Sequence, residues 1–262
     1  SQLARLGENG YSEVVLTGIH LMSYGKDLGD GVNLLDAIRQ GQDIPGIQRI
    51  RLGSLEPQLL SDAFVQALAE NPKICRQFHL SLQSGSATVL RRMARRYTPD
   101  EYAQWVARLR EAMPGCAITT DVIVGFPGET EEEFDQLAEF LQANPFDRLG
   151  AFAYSQEENT PAAQMPDQIP DAVKAERLDR IMTAQQAISL VCNQIRVGRT
   201  YEVLVDKVQG DICLGRSYGE APEVDGCIRF YYQGPAPKPG TFVQVRINQA
   251  GPYDLWGEMV LQ

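Results

Sequence analysis

Five short polar turns carry the side chains best suited to chemistry: Thr17-Gly18, Ser54-Leu55-Glu56-Pro57, Gln83-Ser84-Gly85-Ser86, Gly125-Phe126-Pro127-Gly128-Glu129 and Tyr154-Ser155. Each closes an apolar run of strand length. Glycine lets a ligand approach the backbone, and Ser, Gln and Glu offer hydrogen bonds. One such turn alone would be an ordinary strand-to-helix connection. Five at equivalent positions point to a binding site, because ligands of parallel α/β folds gather at the C-terminal strand ends. No catalytic residue is assigned, and neither is a metal site. The five cysteines, Cys75, Cys116, Cys192, Cys213 and Cys227, show no CxxC or similar spacing. They read as buried, reduced thiols. His20 and His79 are the only histidines, and His79 falls within a strand, where a core role is expected.

The elements that must position these turns alternate through the first 155 residues. Strands are expected at Glu13–Leu16, Gln48–Leu52, Phe78–Leu82, Ala117–Val124 and Leu149–Tyr154. Helices are expected at Asn33–Arg39, Glu56–Ala69, Ala87–Met93, Asp100–Ala112 and Glu131–Ala143. Ser61-Asp62, Thr98-Pro99-Asp100 and Thr130 with Glu133 mark helix starts. This alternation argues for a parallel sheet with outer helices, either an open sheet or a partial barrel. A Pro- and Gln-rich stretch, Glu157–Pro170, leads into a long helix near Asp171–Ile195. Its apolar stripe is read as Leu178, Ile181, Met182, Ala187, Ile188 and Val191. Beyond Gly198 the period becomes two in TYEVLVDKV, DICLGRSY, GCIRFYY, TFVQVRINQA and YDLWGEMVL. That pattern reads as a five-stranded antiparallel barrel. Two domains are expected, 1–197 and 198–262.

Composition narrows the partners. The 262 residues are 44% hydrophobic and 22% charged, with a net charge of -10. That balance disfavours a surface that tracks phosphate throughout. It suits simple solubility or a basic protein partner, although Arg91, Arg92, Arg95 and Arg96 form one local basic patch. No apolar run approaches the roughly 18–20 residues that span a bilayer. The N-terminus does not read as a signal peptide, and a cytoplasmic protein is expected, with Ser1 placed as if a fold were cut there.

Several long strings are similar to one family in order. VVLTGIHLMSYGKDL, IRLGSLEP, HLSLQSGSATVLRRMARRYTPDEY and GFPGETEEEF resemble the second to fifth strands of radical-SAM methylthiotransferases. The C-terminal barrel resembles their TRAM domain. The resemblance implies a partial, open parallel β/α barrel lacking its first strand. It implies S-adenosyl-L-methionine (SAM) as cofactor and two 4Fe-4S clusters in the full-length protein. In that family one cluster reduces SAM to a 5′-deoxyadenosyl radical and a second delivers sulfur. The CxxxCxxC loop of the first would precede Ser1, so none of the five cysteines would bind a cluster and this chain alone is expected to be inactive. Carried over, Thr17 and Gly18 would meet the methionine amino group, and Ser54 and Glu56 would line the next strand end. Gln83, Ser84 and Ser86 would face the ribose and sulfonium, and Arg95 would pair with the SAM carboxylate. Asp121, Gly125 and Tyr154 would border the adenine or substrate side.

The family has two substrate classes: an aspartate on the twelfth protein of the small ribosomal subunit, and the tRNA adenosine beside the anticodon. LTGIHLMSYG, LGSLEP and HLSLQSGS resemble the threonylcarbamoyl-adenosine branch. FDRLGAFAYSQEENTPAAQMPDQIP, GRSYGEAPEVDG and YDLWGE resemble the ribosomal-protein branch. A hybrid joined through GFPGETEEEF would account for the split. From Arg199 onward six basic residues face eight acids, where phosphate binding would favour the reverse. Glu220, Glu223 and Asp225 are the residues expected to greet a basic ribosomal protein. That substrate is preferred, with tRNA as the alternative. A non-catalytic binding module remains open as well.

Overall fold

The computed structural model describes residues 2–27, 29 and 31–260. Leu261, the expected end of the last barrel strand, lies outside them. The first unit runs α1 (Gln2–Glu8), β1 (Glu13–Leu16), α2 (Leu34–Gln42), β2 (Arg49–Leu52), α3 (Asp62–Glu70), β3 (Gln77–His79), α4 (Ala87–Arg92), α5 (Pro99–Ala112), β4 (Ala117–Val124), α6 (Glu131–Ala143) and β5 (Arg148–Ala153). β1 pairs with β2, β3 with β4 and β4 with β5, all parallel. Between β2 and β3 the ladder thins to parallel bridges at Ile50–Ile74 and Leu55–Leu80. The sheet is open, with β1 and β5 at its edges among the described residues.

The expected Phe78–Leu82 strand is shorter, and its side-chain partners explain why. Beyond His79 the Leu80 amide still reaches Thr119 O at 2.9 Å, but the next backbone groups bond side chains and the regular ladder stops. Thr120 Oγ1 donates to the Leu80 carbonyl at 2.7 Å and accepts from the Leu82 amide at 3.0 Å. The Tyr102 hydroxyl reaches Leu80 O at 2.6 Å, and the Tyr97 hydroxyl reaches Leu82 O at 3.0 Å. The expected Glu56–Ala69 helix divides at Leu60 into a short 3-10 turn and α3, whose start is capped by Ser61. Thr98 and Thr130 form capping boxes with Glu101 and Glu133. Helices pack on one sheet face, burying Val14, Ile50, Phe78, Ile118 and Val122 against residues such as Leu68, Leu109 and Leu137. Each such side chain contributes about 1.5–3 kcal/mol by leaving water.

Helix α7 (Asp171–Gln194) follows and packs along β5. Its buried face corrects the expected stripe. Lys174, Arg177, Ile181, Gln185, Ser189 and Asn193 are buried, whereas Val191 is 56% exposed. The reason is the nature of the surface beneath. Gln185 Nε2 donates to Phe146 O at 2.9 Å, Ser189 Oγ to Asp147 O at 2.9 Å, and Asn193 Nδ2 to Gly251 O at 2.8 Å. Loop carbonyls, which need donors, take the place of an apolar face.

The second unit is a closed barrel of β6 (Thr200–Gln209), β7 (Ile212–Arg216), β8 (Ile228–Tyr231), β9 (Phe242–Ala250) and β10 (Leu255–Met259), in the order β10-β8-β7-β6-β9. Antiparallel pairing holds everywhere except the β8–β10 seam, which is parallel. Parity dictates this: a ring with an odd number of strands cannot alternate direction all the way round. Val203, Cys213, Phe230, Val245 and Ile247 fill the barrel.

The barrel docks at the N-terminal ends of the parallel strands. Arg49 donates to Glu202 O at 3.3 Å and Arg216 O at 3.2 Å, and Arg51 to Tyr218 O at 2.9 Å. The Tyr218 hydroxyl reaches Gly115 O at 2.7 Å. At the centre lies Glu13, whose buried carboxylate meets Arg49 at 3.2 Å, Arg51 at 3.5 Å and Arg216 at 2.6 Å. Burial alone would raise that carboxyl, and the three guanidiniums reverse the effect and hold it below its ordinary value.

Candidate functional site

Alternation along the parallel strands separates an apolar outer face from a polar inner one. Arg51, Gln77, His79, Thr119 and Asp121 project from the inner face into a cavity of about 560 Å³. α7 closes one side with Met182, Gln185, Gln186 and Ser189, and the barrel's 221–226 segment closes another. The inner face is internally bonded. His79 Nδ1 meets Thr119 Oγ1 at 3.0 Å, and its Nε2 lies 3.1 Å from Asp121 Oδ2. Gln77 joins Arg51 at 2.9 Å to Thr119 at 3.2 Å. Arg148 reaches Asn193 Oδ1 at 3.3 Å and Tyr253 O at 3.2 Å, while its Nε and Gln185 Oε1 are buried without partners.

Of the eleven residues expected to hold a cofactor, Ser54 and Asp121 line this cavity. Parallel pairing places the other strand-end residues along the same C-terminal edge. Thr17 and Gly18 are exposed there, and Glu56 is half-buried with His20 Nδ1 at 2.9 Å. Gln83 has a left-handed backbone (φ 70°) and its amide bonds Asp121 O at 2.8 Å. Gly125 is also left-handed (φ 71°), and its amide donates to Glu129 Oε1 at 2.8 Å. A Cβ at Gly125 would run into the Lys174 stem, so only glycine lets α7 pack there. Burial raises the Glu129 carboxyl above its ordinary value, against the pull of that amide and of Arg177. Tyr154 stacks edge-on against Phe126, and its buried hydroxyl has no partner.

Three expectations are corrected, and a fourth residue, Arg95, is not brought to the cavity. Ser84 and Ser86 do not reach the cavity: both are fully buried, Ser84 Oγ accepting the Ser86 amide at 3.2 Å and Ser86 Oγ meeting Thr88 Oγ1 at 2.9 Å. They shape the turn into α4. Glu220 is not available to a partner. It is 1% exposed and bonded to Arg196 and to the Ser217 hydroxyl and amide. Burial alone would raise its carboxyl, but Arg196 and Ser217 hold it below the ordinary range. His79, expected in the core, stands half-buried on the cavity wall. Arg95 is exposed beside Arg91 and Arg96, outside the cavity. Of the other two barrel acids, Glu223 is exposed and Asp225 lines the cavity, its carboxyl raised by burial.

The sequence reading missed Arg51, Gln77, Arg148, Gln185 and Tyr253. For the strand residues a signal existed: polar residues at every second position of otherwise apolar strands, as in Gln77-His79 and Thr119-Asp121. For Gln185 and Tyr253 there was none, because their partners come from other elements.

The cysteines do not fit a cluster. All five are free, and no group of three or more His, Cys, Asp or Glu side chains converges among the described residues. Burial pushes the Cys75 and Cys116 thiols up to about 12, whereas cluster ligation calls for thiolates. No helix among the described residues is long and apolar enough to cross a membrane.

Comparison with known proteins agrees with this geometry. The chain is 39% identical over 262 residues to a tRNA-2-methylthio-N(6)-dimethylallyladenosine synthase of Acetivibrio thermocellus, covering 99% of this chain and 53% of that protein. It is 41% identical over 262 residues to the ribosomal protein uS12 methylthiotransferase RimO of Desulforamulus reducens, covering 99% of this chain and 59% of that one. The chain therefore spans just over half the length of these relatives. Similarity to each branch runs across both halves of the chain and is not confined to one. Among solved structures, coproporphyrinogen III oxidase (HemN) of Escherichia coli shares the fold with a TM-score of 0.53 at 15% identity, over 79% of this chain and 54% of that one. A TRAM domain model matches residues 197–260, over the closed barrel. The Radical SAM superfamily model matches residues 2–141, which include four of the five parallel strands around the cavity, and the chain belongs to that superfamily.

Proposed function

We propose that this chain forms the cofactor- and substrate-holding part of a methylthiotransferase acting on an aspartate of ribosomal protein uS12. One observation carries the reading: a polar cavity on a Radical SAM sheet is walled in part by a TRAM barrel, in a chain whose relatives at about 41% identity include uS12 methylthiotransferases. The residues at the C-terminal strand edge suit SAM. Thr17, Gly18 and Ser54 are small and exposed, and the Tyr154 hydroxyl lacks a partner. SAM supplies a methyl and an adenosyl group when bound. In this reading Thr17, Ser54 and Glu56 bind its polar groups, and Gly125 and Tyr154 border its ring. His79 holds Asp121 at the cavity wall, where the carboxylate orients what enters. The clusters are held by cysteines other than these five. We also propose the domain boundary at 197/198.

A second reading, tRNA, is favoured by the relative named as a tRNA-modifying synthase at 39% identity. The test is a methylthiolation assay on the full-length, cluster-reconstituted protein with uS12 and tRNA offered together. Product on uS12 is expected, and product on tRNA alone overturns the preferred substrate.

A further inference from the structure

The turn after β4 is held from three sides. Gly128 donates its amide to the linker carbonyl of Asp167 at 2.9 Å, and Arg92 of α4 reaches Gly128 O at 3.2 Å. The third hold is a buried ion pair with α7. Glu129 Oε1 accepts from the Gly125 amide and from Arg177 Nη1, both at 2.8 Å, and the same Nη1 reaches Glu129 O at 3.2 Å. One turn earlier on α7 the Lys174 stem lies against Gly125, and its Nζ stands 5.6 Å from the centre of the Tyr154 ring. Tyr154 donates its amide to Val124 O at 2.9 Å and meets Phe126 edge-on. The start of α7, which lies between the matched stretches 2–141 and 197–260, therefore fixes the Gly125 turn and Tyr154 together.

Stability does not explain the ion pair. Glu129 Oε2 and Arg177 Nε are buried without partners, and burial raises the Glu129 carboxyl in spite of Arg177. A buried pair so incompletely bonded adds little that packed apolar side chains would not. What it adds is direction. A guanidinium fork meets a carboxylate in a defined geometry, and this carboxylate passes that geometry to one amide. The amide belongs to a left-handed glycine (φ 71°), the residue type whose backbone is freest to move when its acceptor is lost.

We propose that Glu129 and Arg177 are positioning residues for the cofactor, setting the Gly125 turn and Tyr154 that border the adenosyl ring and acting through the backbone instead of by contact. This rests on the SAM reading and extends it to a helix outside the strand-end turns. Equilibrium dialysis measures SAM affinity on the full-length, cluster-reconstituted protein, and NMR follows hydrogen exchange of the Gly125 amide in the 262-residue chain. Glu129→Leu combined with Arg177→Met removes both charges, so neither is left buried alone. Circular dichroism checks that the fold is kept. In this double variant SAM affinity is expected to fall about tenfold or more, and the Gly125 amide to exchange faster. Glu129→Gln still offers an oxygen to Gly125 and Arg177, and should hold SAM within about threefold of the original. Leu137→Ala weakens the core without touching the turn, so its SAM affinity should not move. If the double variant does not fold, Arg177→Lys keeps the charge but loses the fork, and a loss of about threefold or more is expected of it. SAM affinity within about twofold of the original in both the double variant and Arg177→Lys would overturn the inference. So would a loss in Glu129→Gln as large as in the double variant, because charge and not geometry would then be the cause. An unaltered protein that does not bind SAM sinks the cofactor reading itself, whereas binding indifferent to these substitutions sinks only the strut.

Discussion

Helices α6 and α7 both pack on the parallel sheet, yet they bury opposite chemistries. α6 buries Phe134, Leu137 and Leu141, the stripe that its periodicity announces. α7 buries Lys174, Arg177, Gln185, Ser189 and Asn193, with Ile181 the single apolar member. The difference lies in what each helix covers. α6 lies on the apolar outer face, where removal from water is the driving force and the exact partner matters little. α7 lies where loop carbonyls and the Glu129 carboxylate need donors. Arg177 Nη1 reaches Glu129 Oε1 at 2.8 Å, and Gln185, Ser189 and Asn193 each find one or more backbone oxygens. Directional bonds set the rotation and height of α7, and so set where Met182 and Gln186 stand on the cavity wall. The apolar helix stabilises the fold, and the polar one registers the site.

Three substitutions sharpen or break this contrast. Leu137→Ala should cost about 2–5 kcal/mol in urea unfolding, the price of a core cavity. It should leave the affinity for SAM unchanged in the molecules that remain folded. Gln185→Leu keeps the volume but leaves Phe146 O only the weak Cys192 Sγ donor at 4.0 Å, at about 1–3 kcal/mol. The buried, unpartnered Oε1 is removed at the same time and offsets part of that loss. A more stable Gln185→Leu protein would show that α7 docks by burial as α6 does, and the contrast would fail. Val191→Ser, in the stripe that periodicity suggests but the fold leaves exposed, should change stability by no more than about 0.5 kcal/mol. A loss above 1 kcal/mol on thermal unfolding would mean that Val191 is covered in solution.

The succession of elements was legible because its signals are local. The Thr98 and Thr130 capping boxes join residues three apart, and both helices begin where those motifs place them. All ten strands lie within or next to their expected ranges, because alternation needs only neighbouring residues. The site was legible in outline. Strand-end turns are recognisable by Gly, Ser and Thr, and parallel pairing gathers them at one edge. Which of their side chains face outward was not legible. Ser84 and Ser86 carry the same chemistry as Ser54, but the first two satisfy their own turn and Ser54 stands at the cavity. Which acids of the barrel are free was not legible for the same reason. Glu220, Asp206 and Asp254 are spent on Arg196, Arg216 and Arg229, so composition alone does not say which carboxylates are open to a partner.

By itself the amino-acid order determined the parallel alternation, the long helix, the period-two barrel and the strand-end turns, since capping, periodicity and turn preference act within a few residues. Tertiary structure alone decided which polar groups are buried, which face of α7 is hidden, and that the barrel walls the cavity. Those outcomes depend on partners far apart in the chain: Gln185 meets a carbonyl 39 residues away, and Glu13 meets Arg216 across 203. A buried polar side chain is tolerated only where such a partner arrives.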